Sequence, residues 1–451
     1  MAVQNCDLGK PICSRCTRYP KGCIYKLGII SQSPDKNSPK NHNIAQYPED
    51  NAHISVDGSI VPLQDAITTA GNVIQQPLMY LSPYLLTTES RFFMHVFRTE
   101  TATRLFPAAP PVFLERMITG ALEKPHLLYA LLAAACSHHS RLVQQETHQR
   151  SMVACLKYTN LAISNLRPAL ADDNEMLQPE TVTTAMTLCT NDVCNGNMDI
   201  WNVHLDGVIR LLTAFIEHQK ENSRIDPYAQ CLVKWCITMD VLAGFSGRRT
   251  VQSGLLTQVS NQSVDEIDDI CGYSLELAPI LAQLPQLAKS QKQLSTTSEA
   301  EILEAKISRL DGATVSEAKL DSMGDLAIEL HYTHLAFVHS ALLYLHRRVQ
   351  NLSRNHVKVR KDVTNIIDSI RRIGSFSLAN ILILWPMFTA GCETEIISER
   401  QYIQTRMNNM QCFGMGNYTR AREYLFNFWA SETSLPWDVY FSQLGKEVVL
   451  F

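Results

Sequence analysis

The sequence has no apolar run long enough to cross a bilayer. Its longest, Leu378 to Phe388, is broken by Pro386 and falls short of the about 20 residues that a spanning helix needs. No membrane span is expected. Nothing ahead of Cys6 resembles a secretory signal, so the 13 cysteines imply a reducing compartment rather than a disulfide framework. No strand-turn-helix phosphate loop, no H-E-x-x-H and no carboxylate pair in a recognisable frame is present. Gly244-Phe245-Ser246-Gly247 falls one residue short of a nucleophile elbow. An enzyme is therefore not expected. Positive charge is not in excess: the formal net charge is −4, which argues against coating nucleic acid by bulk charge and leaves only local contacts. Sustained heptads are missing as well, which closes the coiled-coil route to a dimer.

What is present begins with the cysteines. Cys6, Cys13, Cys16 and Cys23 follow the spacing C-x6-C-x2-C-x6-C, and the other nine are scattered along the chain. A segment this short cannot bury much apolar surface, so packing is a poor reason for such density. A thioredoxin-like pair needs C-x-x-C at the end of a strand in a βαβ unit, and Cys13–Cys16 has no such context. Four thiolates can surround one Zn²⁺, and the metal then supplies the folding energy that the missing core cannot. The alternative is a set of incidental cysteines in a disordered tail. The nine later cysteines are expected to be mostly buried as small apolar side chains.

The segment resembles the second half of the fungal binuclear zinc-cluster (Zn2Cys6) DNA-binding module. Cys6 falls on that family's third cysteine, Pro11 on its loop proline, Cys13 and Cys16 on the fourth and fifth cysteines and Cys23 on the sixth, with Tyr25 as the trailing aromatic. Lys10, Arg15, Arg18, Lys21 and Lys26 alternate among them. The family's first C-x2-C and the basic helix that carries its base-reading residue are not in the sequence. Four thiolates cannot hold two ions in the family's bridged arrangement, and at most close one mononuclear site. Lys10, Arg15, Arg18 and Lys21 would then contribute phosphate contacts, which position a protein on DNA without specifying sequence. Either the chain begins downstream of its true start, or it is a regulator without autonomous DNA reading.

Beyond this module (residues 1–26), residues 27–88 are Pro-, Ser- and Asn-rich without sustained periodicity and read as a disordered linker. Residues 89–451 read as one large all-α domain. Thr87 or Thr88 is a plausible N-cap for its first helix, with Glu89 in the first turn. Helices are expected over Pro111–Glu123, Pro125–Gln145, Gln149–Leu166, Glu180–Cys194, Trp201–Phe215, Pro227–Leu242, Glu299–Leu310, Asp325–Asn351 and Val357–Phe376. Residues 252–298 look less regular. Pro168 is expected to separate two helices, and Pro386 to kink a buried one beside Trp385 and Phe388, with Gly391 permitting close approach. Adjacent His138 and His139 point about 100° apart and cannot share a metal. His331 and His334 are helical neighbours, but a buried hydrogen-bonded pair explains them better than chelation. Trp201 and His204 read as packing rather than catalysis.

The stretch Leu384-Trp385-Pro386-Met387-Phe388-Thr389-Ala390-Gly391-Cys392-Glu393, with Asn417-Tyr418-Thr419-Arg420-Ala421 later, resembles the helical regulatory domain of fungal zinc-cluster transcription factors. The resemblance implies a nuclear, zinc-binding regulator of RNA polymerase II transcription. Its implied partners are promoter DNA and co-regulator proteins or the transcription machinery. Relatives often control one metabolic or secondary-metabolite gene cluster. The other reading is an accessory regulator that acts through protein partners.

Overall fold

Thr87 and Ser90 cap each other at the start of the first helix, α1 (Thr88–Val96). The Thr87 hydroxyl accepts from the Ser90 backbone N–H while the Ser90 side chain accepts from Thr87 N–H, with Glu89 in the first turn. The computed structural model describes residues 82–195, 201–221, 226–246, 251, 254–256, 267–290, 295–312 and 324–451, with four short strands nearer the N-terminus. The chain divides into two units, Met1–Tyr80 and Leu81–Phe451. In the first, β1 (Cys23–Tyr25) pairs antiparallel with β2 (Gly28–Ile30), and β3 (Ala52–Ile54) with β4 (Ile60–Pro62). The rest of the linker expected over 27–88 lies mostly outside the described residues.

The second unit is all-α. After α1 a π turn (Phe97–Thr101) leads to α2 (Ala102–Leu105). Then come α3 (Pro111–Glu123), α4 (Pro125–Leu142), α5 (Gln145–Ala171), α6 (Asp173–Met176), α7 (Pro179–Cys194), α8 (Trp201–Glu221) and α9 (Pro227–Gly244). Helices α3, α4, α7 and α9 all open on a proline, whose missing N–H costs nothing in the first turn and whose fixed φ suits it. Helix α4 is buried on nearly all sides, from Leu127 and Leu128 to Cys136, and lies against α1, α3, α5 and α7.

The C-terminal half comprises α10 (Leu277–Lys289), α11 (Ser295–Gly312), α12 (Asp325–Tyr344), α13 (Val357–Arg372), α14 (Leu384–Glu393), α15 (Ile397–Met410), α16 (Gly416–Ala430) and α17 (Trp437–Gln443). Here α12 is central, against α11, α13 and α14, and α16 reaches back to α7.

Three expectations about the helices need correction, each at a proline. Pro168 does not end α5, which runs on to Ala171. Pro168 and Ser164 are both exposed, so water can take the Ser164 carbonyl that loses its partner. Helix α10 falls in the stretch read as irregular. Its Leu277, Ile280, Leu281 and Leu284 are buried at helical spacing, Pro279 lies in the first turn and Pro285 is absorbed within the helix. Pro386 likewise lies in the first turn of α14, after a 3-10 turn at Leu378–Ile381, and does not kink a continuous helix.

Candidate functional site

Of the cysteine module, the described residues contain only Cys23, which opens β1 opposite Ile30. Cys6, Cys13 and Cys16, with Lys10, Arg15, Arg18 and Lys21, lie outside them. The donor set itself fits a single zinc ion: four thiols, closely spaced, with basic side chains between them that favour thiolate. Among the described residues no group of three or more His, Cys, Asp or Glu side chains is placed to hold a metal.

The later cysteines behave as packing residues. Cys136, Cys155, Cys189, Cys194, Cys236, Cys271 and Cys392 are buried, Cys231 is half-buried and Cys412 is exposed. Burial pushes Cys194 and Cys231 up to about 11, and raises Cys136, Cys155, Cys271 and Cys392 too, so these thiols stay protonated.

The histidines singled out in the sequence also have local partners. His138 is fully buried, with Nε2–H donating to the Phe413 carbonyl at 3.0 Å and Nδ1 accepting from the Thr101 hydroxyl at 3.0 Å. Burial holds its pKa down at about 3 despite the Phe413 bond. His139 instead meets Ser151 at 3.0 Å. The His334 Nδ1 accepts from the Ser274 N–H at 3.3 Å, and burial lowers its pKa to about 4. His331 is buried beside the Tyr332 ring. Trp201 packs as expected, buried and donating to Glu447 at 3.3 Å, but the reading of His204 as a packing residue is corrected: it is exposed and pairs with Asp192 at 2.6 Å.

Sequence reasoning gave no hint of the polar cluster at the end of α12. There the helix widens into a π turn, Leu345–Val349, and three consecutive side chains fan out to four carboxylate partners. His346 bridges Asp362 of α13 (2.5 Å) and Glu304 of α11 (3.2 Å). Arg347 donates to Glu393 at the end of α14 (2.6 Å), and Arg348 to Asp438 of α17 (2.7 Å). Glu393 also accepts from Arg354 at 3.3 Å, and Arg354 reaches the Thr433 carbonyl at 2.8 Å. Burial opposes the His346 imidazolium, but the Asp362 and Glu304 carboxylates outweigh it and raise its pKa. Nearby, the Arg406 guanidinium caps the C-terminal end of α13 through the Ile370 and Ile373 carbonyls and also meets Asn380 Oδ1 at 3.0 Å. These contacts cross-link the C-terminal helices. Their partners lie far apart in sequence, so no local signal reveals them.

Beside this cluster stands an aromatic column. Trp385 is fully buried, 4.7 Å from the Phe245 ring and 5.5 Å from Phe337, and Phe337 packs tilted against Tyr273 at 4.6 Å. Phe388 packs edge-on against Trp437 at 5.4 Å. Gly391 lets α14 approach α16: a Cβ there would stand 2.8 Å from Leu425. The L-W-P-M-F-x-x-G stretch is thus the seam along which α14 joins its neighbours.

The described residues from 82 onward thus form an all-α domain whose C-terminal helices meet along this seam. The fungal specific transcription factor domain matches residues 91–451, and the chain belongs to that family. It is a fungal transcriptional regulator. No curated protein and no solved structure matches the chain. No helix among the described residues is long and apolar enough to cross a membrane.

Proposed function

We propose that this chain is a zinc-dependent transcription factor that acts in the nucleus on RNA polymerase II genes of one metabolic or biosynthetic pathway. The observation that carries the reading is the coexistence of two features in one chain: C-x6-C-x2-C-x6-C at residues 6–23 and the family domain over 91–451. Cys6, Cys13, Cys16 and Cys23 would hold one Zn²⁺, which supplies folding energy to a segment with no core of its own. Lys10, Arg15, Arg18 and Lys21 would meet DNA phosphates. The helical domain would engage co-regulator proteins or the transcription machinery.

A second reading makes the chain an accessory regulator that acts through protein partners. Metal stoichiometry tests the part common to both. The full chain should bind one Zn²⁺, and cobalt substitution should give thiolate-to-cobalt absorption that disappears in Cys13→Ala and Cys16→Ala. Two ions per chain, or no thiolate band, would contradict it.

A further inference from the structure

Helix α5 has two faces. Ala154, Cys155, Tyr158, Ala162, Leu166 and Ala169 are buried, chiefly against α4. On the opposite side Val153, Leu156, Ile163 and Leu170 are between 37% and 67% exposed. They fall on the a and d positions of a heptad, with Asn160 and Arg167 at the remaining a positions, and Glu146 one heptad ahead of Val153. Single exposed apolar residues are ordinary, but four in line along one helix make a stripe of the kind that marks a contact surface.

Charge indicates what covers the stripe. Glu146 lies toward one end and Arg167 toward the other; both are exposed, and among the described residues neither has an ion-pair partner in its own chain. An antiparallel copy of α5, turned about a two-fold axis level with Tyr158, sets Val153 opposite Ile163 of the partner subunit. Glu146 then comes within one turn of Arg167 of the partner subunit, and symmetry repeats the pair at the other end. A parallel copy would set Glu146 against Glu146 and Arg167 against Arg167, which like-charge repulsion disfavours. Lys157 falls near the axis, but Glu89 of its own chain already neutralises it at 2.7 Å.

We propose that this face binds a second copy of the chain, through an antiparallel α5–α5 contact with an apolar centre and a Glu146–Arg167 ion pair at each end. A strip about 10 Å wide along a helix about 40 Å long is small beside the roughly 800 Å² per partner of a standard interface, so a weak, micromolar dimer is expected. The contact belongs to the folded helical domain, needs no heptads in residues 27–88 and is independent of the zinc reading.

Sedimentation equilibrium of the full chain from about 1 to 100 μM tests it, with an expected Kd on the order of 10 μM. Leu156→Glu, at an exposed site, should weaken dimerisation about tenfold or more while the thermal transition is retained. Glu146→Arg and Arg167→Glu should each weaken it about tenfold, because each turns two attractions into two repulsions, and the double variant should restore it. A chain that is monomeric throughout this range would overturn the proposal, as expected if another segment or partner covers the stripe. So would a dimer indifferent to Leu156→Glu. Charge reversals without effect, the outcome for a parallel pair, or a double variant no better than the single ones would overturn it as well.

Discussion

At the scale of single residues, Trp385 and the buried histidines govern stability. Trp385 fills the centre of the aromatic column and its indole N–H has no partner. Trp385→Ala should cost roughly 3–5 kcal/mol, and Trp385→Phe much less, because the ring contacts survive and an unsatisfied donor is removed. Denaturant unfolding measures both, and equal losses would contradict the account. Burial holds His126, His138 and His334 at about 4, 3 and 4. Between about pH 6.5 and 4 the unfolded chain binds these protons and the folded chain does not, so stability falls as pH falls, by about 1.4 kcal/mol per histidine per unit. His346 has the opposite sign: its raised pKa stabilises the fold fully below about pH 6.5, and the contribution is lost as pH rises through the folded value. Unfolding titrations from pH 7 to 5 should show a steep loss, with the slope reduced by about a third in His334→Gln. A flat profile would mean that these imidazoles are solvated. Trp385 was legible from its apolar run. The charges of Arg347 and Arg348 gave no sign that Glu393 and Asp438, far along the chain, would bury with them.

At the scale of elements, the helices with strong apolar periodicity or a leading proline were legible nearly to their ends. Pro111–Glu123 was read without error, and Glu180–Cys194 to within one residue. The misreadings at Pro168, at Pro279 and Pro285, and at Pro386 share one cause, expecting each of these prolines to interrupt or kink a helix. A proline in a first turn costs nothing, and one on a solvent face leaves a carbonyl that water can reach. Close approaches between elements were legible only at Gly391. Gly416 is the tighter case, because a Cβ there would stand 2.4 Å from the Cys194 backbone carbonyl, whereas at Gly391 it meets side-chain methyl groups of Leu425 and Ile403. Gly416→Ala should therefore destabilise by roughly 1–3 kcal/mol or more, and Gly391→Ala by less. Denaturation midpoints at unchanged slope give the comparison, and the reverse order would show that α7 and α16 can shift apart freely.

At the scale of the whole molecule, the sequence carried two legible signals, the cysteine spacing and the seam around Trp385. The family match over residues 91–451 accounts for the second. At this scale we propose that a zinc module at Cys6, Cys13, Cys16 and Cys23 gives the regulator DNA affinity through phosphate contacts. The most direct test titrates the zinc-loaded full chain against a randomised duplex pool at two salt concentrations. The account predicts weak binding with little sequence enrichment, a steep loss of affinity at the higher salt and loss of binding on chelation of the metal. Tight, sequence-selective binding that survives the higher salt would contradict it.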